Sequence, residues 1–246
     1  MPITSKLLLL AGLMCLRVSA STPTTTTDDR SLSRTFTDGL SYTVNSPDLR
    51  GHWALTAAGV LLALPFDHKV MTYRQKLLPK SVSRFGDLWG GRWAVITVLP
   101  FMYAADRNRG VSAFDTRRRV RFAFTSLVAI GVTTSMLKWA VGRERPNHRG
   151  RHMSFPSGHT SAAFGVAEVM RVLYGRRVGA PFYLAAVVTG ISRIRDNKHF
   201  PSDVVAGAGL GVGMIKGFRI AQQKADPQNP LGLSITSTSI SFTYLF

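Results

Sequence analysis

The chain has 246 residues, of which 45% are hydrophobic and 18% charged, enough to bury one substantial core in a single domain. Its formal charge of +18 favours anionic partners. Because the sequence has neither zinc-finger spacing nor a recognisable aromatic RNA-binding motif, nucleic acid is disfavoured, and phosphorylated substrates or anionic membrane surfaces are expected instead.

Residues 1–20 have the pattern of a secretory signal peptide. Lys6 precedes an apolar run over residues 7–16, and residues 18–20 (Val-Ser-Ala) supply the small side chains that signal peptidase requires. The apolar run is about half of the roughly 20 residues that a membrane-spanning helix needs. We therefore expect cleavage and export to the periplasm or cell envelope. Because Cys15 is the one cysteine and lies in this segment, the mature chain can form no internal disulfide.

The chain that follows is predicted to be a flexible lead-in and then a helical domain. Residues 21–45 form the lead-in, because the stretch after the signal is polar and rich in threonine. Ser46 as N-cap and Pro47 at the first helical position predict a helix start. Five apolar runs follow at residues 53–66, 93–105, 122–137, 178–192 and 204–215, and a sixth element runs over residues 156–174. The pattern predicts an all-α domain over residues 46–226, a bundle of about six core helices.

Whether these helices cross a membrane is left open by the sequence. The five runs are 12 to 16 residues long, which is short for a comfortable membrane span. The sixth element carries Glu168 and Arg171, which would be costly in lipid. These features favour a compact bundle with buried helices over six full transmembrane helices. Snorkelling Arg and Lys side chains can lengthen the apparent spans, so a membrane-embedded bundle stays an alternative.

The tail over residues 227–246 changes to a strand pattern. Its apolar residues alternate with polar ones in two successive registers, first Leu231, Leu233 and Ile235, then Ile240, Phe242, Tyr244 and Phe246. This alternation predicts a short C-terminal β-strand or hairpin packed on the bundle.

The first motif block pairs a lysine with an arginine seven residues later. Lys138 ends an apolar run, and Arg145 precedes Pro146, which discourages further helix. Two cations are therefore expected near one helix end, although a solvated basic terminus would look the same in sequence. Three neighbouring arginines are plausible steering charges for an anionic substrate, and a surface position is expected for each: Arg143, Arg149 and Arg151.

The second motif block is Pro156-Ser157-Gly158-His159 at a predicted helix start. Unpaired backbone N–H groups and the helix dipole suit an anion at such a position. Gly158 allows close approach of a phosphate to the backbone, and Ser157 adds a hydroxyl donor. His159 then lies beside that anion, whereas a lone histidine in this position would be interpreted as a cap or a core residue.

The third motif block contains Ser192-Arg193, followed by His199 and Asp203. The four-residue spacing of the last two places them on one face if they share a helix. Asp203 can then accept the Nδ1 proton of His199, which leaves the Nε2 lone pair free for a nucleophilic or basic role. An ordinary exposed His-Asp pair is the alternative for this spacing alone.

Three motifs follow one another over residues 138–203: K-x6-R-P, P-S-G-H and S-R-x5-H-x3-D. In this order they resemble the signature of the phosphatidic acid phosphatase type 2 (PAP2) superfamily, and every position of that signature is matched. That superfamily also includes bacterial acid phosphatases and vanadium haloperoxidases. The resemblance implies its helical bundle and a metal-independent phosphohydrolase. By resemblance, His199 attacks phosphorus to form a phosphohistidine, Asp203 orients His199, and His159 protonates the leaving alkoxide.

The resemblance also implies how the phosphoryl group is held. Five residues would bind its oxygens: Lys138, Arg145 and Arg193 as cations, with Ser157 and Gly158 as hydroxyl and backbone donors. Two guanidinium groups and an ammonium can neutralise three oxygens without a metal, so no cofactor is expected, and vanadate should inhibit as a phosphate mimic.

The substrate is expected to be a phosphomonoester or pyrophosphate, and the apolar helices with the export signal favour a lipid phosphate. The motifs recognise only the terminal phosphoryl group, and the sequence does not indicate an oligomeric state. A vanadium-dependent haloperoxidase is one alternative, which the short chain disfavours. A second is a non-catalytic basic envelope protein that binds anionic lipids.

Overall fold

The structure is a computed structural model that describes residues 31–147, 150, 152–227 and 231. All regular secondary structure in these ranges is helical, which confirms the predicted all-α fold. Three predictions lie wholly or mostly outside the described residues. They are the signal peptide, the first ten residues of the lead-in, and the C-terminal β tail.

The helices, in chain order, are α1 (Leu32–Asn45), α2 (Arg50–Ala63), α3 (Asp67–Tyr73), α4 (Lys80–Leu88), α5 (Ala94–Asn108), α6 (Ala113–Val141), α7 (Gly158–Tyr174), α8 (Arg176–Arg195) and α9 (Pro201–Ala225). Three short 3-10 segments, Pro47–Leu49, Leu64–Phe66 and Arg74–Lys76, precede and follow α2 and α3. A π-helical turn, Trp89–Trp93, joins α4 to α5.

The prediction of a flexible lead-in is wrong from residue 32 onward, because α1 is a capped and packed helix. The Ser31 hydroxyl accepts the Arg34 N–H at 3.2 Å, which caps the first turn. A Cβ on Gly39 would lie 2.5 Å from the Phe218 ring, so α1 and α9 approach closely at that glycine. Phe36 packs edge-on against the same ring, with centroids 6.4 Å apart. A polar, threonine-rich segment is thus helical because one face packs on a neighbour.

The main core lies where α7 packs between α6, α8 and α9. Fully or almost fully buried apolar side chains from these helices meet there, among them Ile130, Val166, Met170, Leu173 and Met214. Burial of each such side chain contributes about 1.5–3 kcal/mol. Glycines on α7 and α9 allow the two helices to approach closely, and this arrangement holds the amino-terminal ends of both helices at one end of the bundle.

Three of the apolar runs belong to helical segments of 25 to 30 residues, so the length argument against membrane spans is wrong for those three. Three segments are long and apolar enough to cross a membrane: Pro47–Lys76, Ala113–Val141 and Pro201–Ala225. In the first of them only 17% of the apolar window is buried within the protein. Large apolar side chains are exposed on several helices, including Leu55, Leu62, Val132 and Trp139. These surfaces indicate membrane association.

Candidate active site

His199 and Asp203 do not share a helix as the spacing predicted. His199 lies in the turn between α8 and α9, because Pro201 begins α9 and disfavours helical backbone immediately before it. Asp203 lies in the first turn of α9, where its Oδ2 accepts the Phe200 N–H at 2.9 Å and caps the helix. The two side chains still face each other, with 3.7 Å between His199 Nδ1 and Asp203 Oδ2.

A set of donors holds the buried Asp203 carboxylate in place. Oδ2 accepts the Ser154 hydroxyl at 2.5 Å, and Oδ1 accepts Arg143 Nη1 at 2.8 Å. The Asp203 backbone carbonyl accepts the Ser157 N–H at 2.9 Å. This set ties the loop before α7 to the start of α9, and so it fixes the position of the acid behind His199.

Arg143 is buried, which corrects the prediction of a surface position. Its Nη2 donates to Asp67 Oδ2 at 2.7 Å while its Nη1 bonds Asp203, so one guanidinium bridges two buried carboxylates. Ser202 completes the cluster, since its N–H and hydroxyl both donate to Asp67, at 2.9 and 2.6 Å. Sequence reasoning missed Asp67 altogether, because nothing in its local pattern distinguishes it from a surface acid.

The turn from Arg193 to His199 is closed by backbone hydrogen bonds. The carbonyl of Arg193 accepts the N–H groups of Lys198 at 3.0 Å and His199 at 3.2 Å. Asn197 lies within this turn at a positive φ of 58°, a conformation that asparagine tolerates well. The turn therefore brings Arg193 from the end of α8 close to His199.

The first and second motif blocks meet at the amino-terminal end of α7. Gly142 ends α6 with φ of 58°, and its N–H donates to the Lys138 carbonyl at 3.0 Å, which places Lys138 in the last helical turn. Lys138 Nζ donates to the Met153 carbonyl at 2.8 Å. A Cβ on Gly158 would lie 3.7 Å from Lys138 Cε, so the ammonium side chain passes beside the start of α7.

Ser157 and His159 occupy the first turn of α7 in different ways. Ser157 is fully buried, its backbone N–H is used by Asp203, and its Oγ accepts the Thr160 hydroxyl at 2.9 Å. His159 is partly exposed, and its Nε2 lies 3.6 Å from Asp87 Oδ1. Arg193 Nη1 donates to that same oxygen, so His159 and Arg193 are neighbours.

Four cations lie close enough to the two imidazoles to change their pKa values: Lys138, Arg145, Arg193 and Lys198. Burial, followed by the charges of Lys198, Arg145 and Lys138, lowers the pKa of His159 to about 4. Burial also lowers the pKa of His199 to about 4; the charges of Lys138 and Arg193 add to this effect and Asp203 opposes it. Both rings are therefore neutral at pH 7 in the ligand-free protein.

The structure places the eight residues that the sequence singled out near one another. The charges of Lys138 and Arg145 lower the pKa of His159, and those of Lys138 and Arg193 lower the pKa of His199. Gly158 lies beside Lys138, and Ser157 and Asp203 are buried. The structure also adds Arg143, Asp67, Asp87 and Lys198, which sequence reasoning did not assign to the site. In the described ranges, no group of three or more His, Cys, Asp or Glu side chains is placed to hold a metal ion.

Comparison with known proteins identifies relatives of this part of the chain. Residues 119–226 match the family model of the PAP2 superfamily. The lipid A 1-phosphatase of Porphyromonas gingivalis is 42% identical over 78 residues, which cover 30% of this chain and 17% of that protein. Lipid phosphate phosphatase 2 of Arabidopsis thaliana is 30% identical over 190 residues, covering 57% of this chain and 64% of that protein. The chain thus spans less than two thirds of each.

A solved structure shares the fold. The crystal structure of Aquifex aeolicus LpxE superposes with a TM-score of 0.51 at 21% sequence identity. The superposition covers 64% of this chain and 95% of that protein, so the helical arrangement described above is a known one.

Proposed function

We propose that this chain belongs to the PAP2 superfamily, whose family model matches residues 119–226, and that it is a phosphatase that removes a terminal phosphoryl group from lipid phosphates. The observation that carries the proposal is the convergence of two neutral imidazoles and three cations, from three separated motif blocks, at one end of the bundle. Phosphoryl transfer needs in-line positioning and neutralisation of charge on three oxygens, and this set of side chains supplies both.

The proposed reaction has two steps through a phosphohistidine. His199 Nε2 attacks phosphorus, the bond from phosphorus to the leaving oxygen breaks, and His159 gives its proton to that oxygen. Neutral His159 then takes a proton from a water molecule, which attacks phosphorus and breaks the bond to Nε2. Inorganic phosphate leaves, and His199 is regenerated with its lone pair.

Each imidazole has a supporting group for its role. Asp203 favours the Nδ1–H tautomer of His199, and it attracts the His199 ring more strongly once that ring becomes positively charged. The distance between the two side chains is long for a hydrogen bond, but catalytic hydrogen bonds commonly shorten when substrate binds. For His159, a bound dianion offsets the charges of Lys198, Arg145 and Lys138, which raises its pKa and allows it to carry the donated proton.

Three cations take the place that a metal has in other phosphatases. Lys138, Arg145 and Arg193 would contact the three non-bridging oxygens, with the Gly158 backbone and the Ser157 hydroxyl as further donors. We therefore propose a metal-independent enzyme, whose activity should survive exhaustive treatment with EDTA. Vanadate should inhibit it by occupying the same site.

The lipid character of the substrate rests on the surfaces around the site and on the relatives. Apolar side chains are exposed along the helices whose ends carry the motif residues, for example Val132 and Trp139 on α6. Two of the relatives are named lipid A 1-phosphatase and lipid phosphate phosphatase 2. We propose that the bundle is embedded in the cell envelope after export, with the site at the membrane surface where a lipid headgroup can enter.

The test is phosphate release by the full chain purified in detergent, measured on lipid phosphates in mixed micelles and on soluble phosphomonoesters. His199→Ala should reduce turnover by at least about a thousandfold, because no nucleophile replaces the ring. His152→Ala, a histidine exposed in the loop before α7, is the matched control and should keep turnover within about twofold.

The same assays separate the alternatives. Halide oxidation by peroxide that requires vanadate, without phosphate release, would establish a haloperoxidase. Lipid binding that persists in His199→Ala, with no turnover in the parent chain, would establish a non-catalytic lipid-binding protein. Brisk turnover of soluble esters with none on micellar lipid phosphates would remove the lipid part of the proposal.

A further inference from the structure

An acidic residue outside the three motif blocks lies against the cations of the site. Asp87 is in the last turn of α4, and its Oδ1 pairs with Arg193 Nη1. The same oxygen lies 3.6 Å from His159 Nε2, and Oδ2 lies 3.3 Å from Lys198 Nζ. Arg193 and His159 are groups to which the proposed mechanism assigns a phosphoryl oxygen and the leaving oxygen. The carboxylate is therefore located where these groups would meet an anion.

Close packing of α4 on α8 sets the position of Asp87. A Cβ on Gly86 would lie 2.9 Å from Ser192 Cβ, so only glycine allows this approach. One turn earlier, the Ser83 hydroxyl donates to Asp196 Oδ1 at 2.8 Å. The helix is thus held against the end of α8 at Ser83 and at Gly86, and the adjacent Asp87 contacts Arg193.

The turn that follows Asp87 packs on His159. A Cβ on Gly90 would lie 3.2 Å from His159 Cβ and would overlap the Thr189 methyl group. A Cβ on Gly91 would lie 3.6 Å from His159 Nε2, and the backbone leaves the helical conformation there, with ψ of −158°. Residues 86–91 therefore form a wall of the site, and such π-helical interruptions are frequent at functional sites.

Arg193 is buried whereas Asp87 is partly exposed, and this difference allows another anion to replace Asp87 beside Arg193. The Arg193 side chain is 4% exposed, and burial lowers its pKa to about 10. The buried positive charge is therefore stable only with an anion close to it. Asp87 supplies that anion, yet its own side chain is 39% exposed. The carboxylate can therefore rotate into solvent while Arg193 stays in place.

Resting on the proposed function, we propose that Asp87 is a resident counter-anion that a phosphate group must displace from Arg193, and that this competition weakens the binding of substrate and of inorganic phosphate alike. A phosphomonoester carries close to two negative charges above pH 7, so it exceeds the carboxylate in charge and can replace it. The contact between Asp87 and Arg193 is lost whichever phosphate binds, so its loss lowers the affinity for each of them. The competition thus favours release of inorganic phosphate after each turnover.

The experiment compares the parent chain with Asp87→Asn, an isosteric change that removes the charge, at pH 7.5 in detergent. Three quantities are measured: the inhibition constant for inorganic phosphate, and kcat and KM for an aryl phosphomonoester. In Asp87→Asn, phosphate should bind at least about tenfold more tightly. The KM for the monoester should fall by a similar factor.

A matched control removes the same charge away from the site. Asp115 is 38% exposed and lies 3.6 Å from Arg118 Nη1, in the first turn of α6 and at the opposite end of that helix from Lys138. Asp115→Asn should leave both the phosphate affinity and the KM within about twofold. Equal effects of the two variants would mean that general charge, rather than the contact with Arg193, is responsible, and the inference would be overturned.

Binding measured without turnover separates this inference from the proposed function. Titration of inorganic phosphate into His199→Ala, with and without Asp87→Asn, should show the same gain in affinity even if no substrate is ever turned over. Unchanged phosphate affinity, or no phosphate binding in either protein, would overturn the inference. If Asp87→Asn does not give a folded protein by circular dichroism, Asp87→Ser provides the same loss of charge with a smaller side chain and is judged by the same criteria.

Discussion

Arg143 is a buried cation that compensates two buried carboxylates near the site. One guanidinium satisfies Asp67 and Asp203, at 2.7 and 2.8 Å, and its plane stacks 4.2 Å from the centre of the Phe200 ring. Both carboxylates are almost fully buried, so each depends on this cation for compensation of its charge. The position of Asp203 behind His199 therefore depends on a residue that does not contact substrate.

Arg143→Met is expected to destabilise the protein by about 3–5 kcal/mol, because it leaves two carboxylates buried without their cation. Arg143→Lys should recover only part of that loss, since one ammonium cannot bridge both acids with the geometry of a guanidinium. Chemical denaturation in detergent measures both values. Arg177→Ala, at an exposed position on α8, is the control and should change the free energy of unfolding by less than about 0.5 kcal/mol. A cost below about 1 kcal/mol for Arg143→Met would contradict the bridging role.

The histidine pKa values give a second prediction at this scale. In the ligand-free protein, His159 and His199 should both titrate near pH 4, well below the ordinary value, because burial and nearby cations disfavour the charged rings. Saturation with phosphate or vanadate should raise both pKa values, since the added anion offsets those cations. NMR of the labelled imidazoles, with His159→Gln and His199→Gln for assignment, measures the shifts. Titration of either ring near pH 6.5 without ligand would contradict the described burial.

At the scale of elements, the turn between α4 and α5 requires small residues. A Cβ on Gly90 would lie 2.1 Å from the Thr189 methyl group and 3.2 Å from His159 Cβ, so a side chain there would force its neighbours to move. A Cβ on Gly91 would make only an ordinary contact with His159, 3.6 Å from Nε2. Two aromatic residues of this turn differ in environment, since Trp89 packs on Phe182 while Trp93 is exposed. The turn is therefore anchored on one side and close to the site on the other.

Gly90→Ala is expected to reduce kcat at least about tenfold and to destabilise the protein by about 1–3 kcal/mol, because the added methyl group overlaps Thr189 and crowds His159. Gly131→Ala is the matched control on α6, since a Cβ there meets nothing within 4 Å. It should leave kcat unchanged and stabilise the helix by up to about 1 kcal/mol. Turnover assays and thermal unfolding measure both variants. Full activity in Gly90→Ala would show that the turn does not constrain His159.

For the whole molecule, the exposed apolar surface is the property that decides where the protein resides. The long helices carry exposed leucine, valine and tryptophan side chains. In water this surface would favour aggregation, whereas lipid tails cover it at no such cost.

Val132→Asp, on the outer face near the middle of α6, should therefore impair membrane insertion. A carboxylate at the centre of a spanning helix costs about 2.5–3.5 kcal/mol. Ala113→Asp, at the exposed first residue of α6, adds the same charge at the end of the helix, where it stays in water, and should have no effect. The fraction of chain that remains in carbonate-washed membranes is the measurement. Equal membrane fractions for the two variants and the parent would indicate that α6 does not cross the bilayer.

The sequence by itself determined the fold class and the candidate groups of the site. The motifs over residues 138–203 resemble the PAP2 signature, and that resemblance singled out Lys138, Arg145, His159, Arg193 and His199. Capping residues and apolar periodicity were sufficient to predict helices, because both act over a few neighbouring residues.

Only the tertiary structure decided which distant acids accompany those groups and how far the helices extend. Asp67 and Asp87 lie 76 and 106 residues from the arginines that they contact, and no local pattern distinguishes them from surface acids. α6 continues through charged residues because Arg118 and Arg119 pair with Asp226 and Asp106 from other parts of the bundle. The physical reason is the same in each case: a buried charge is stable only beside its partner, and packing alone determines which partner is near.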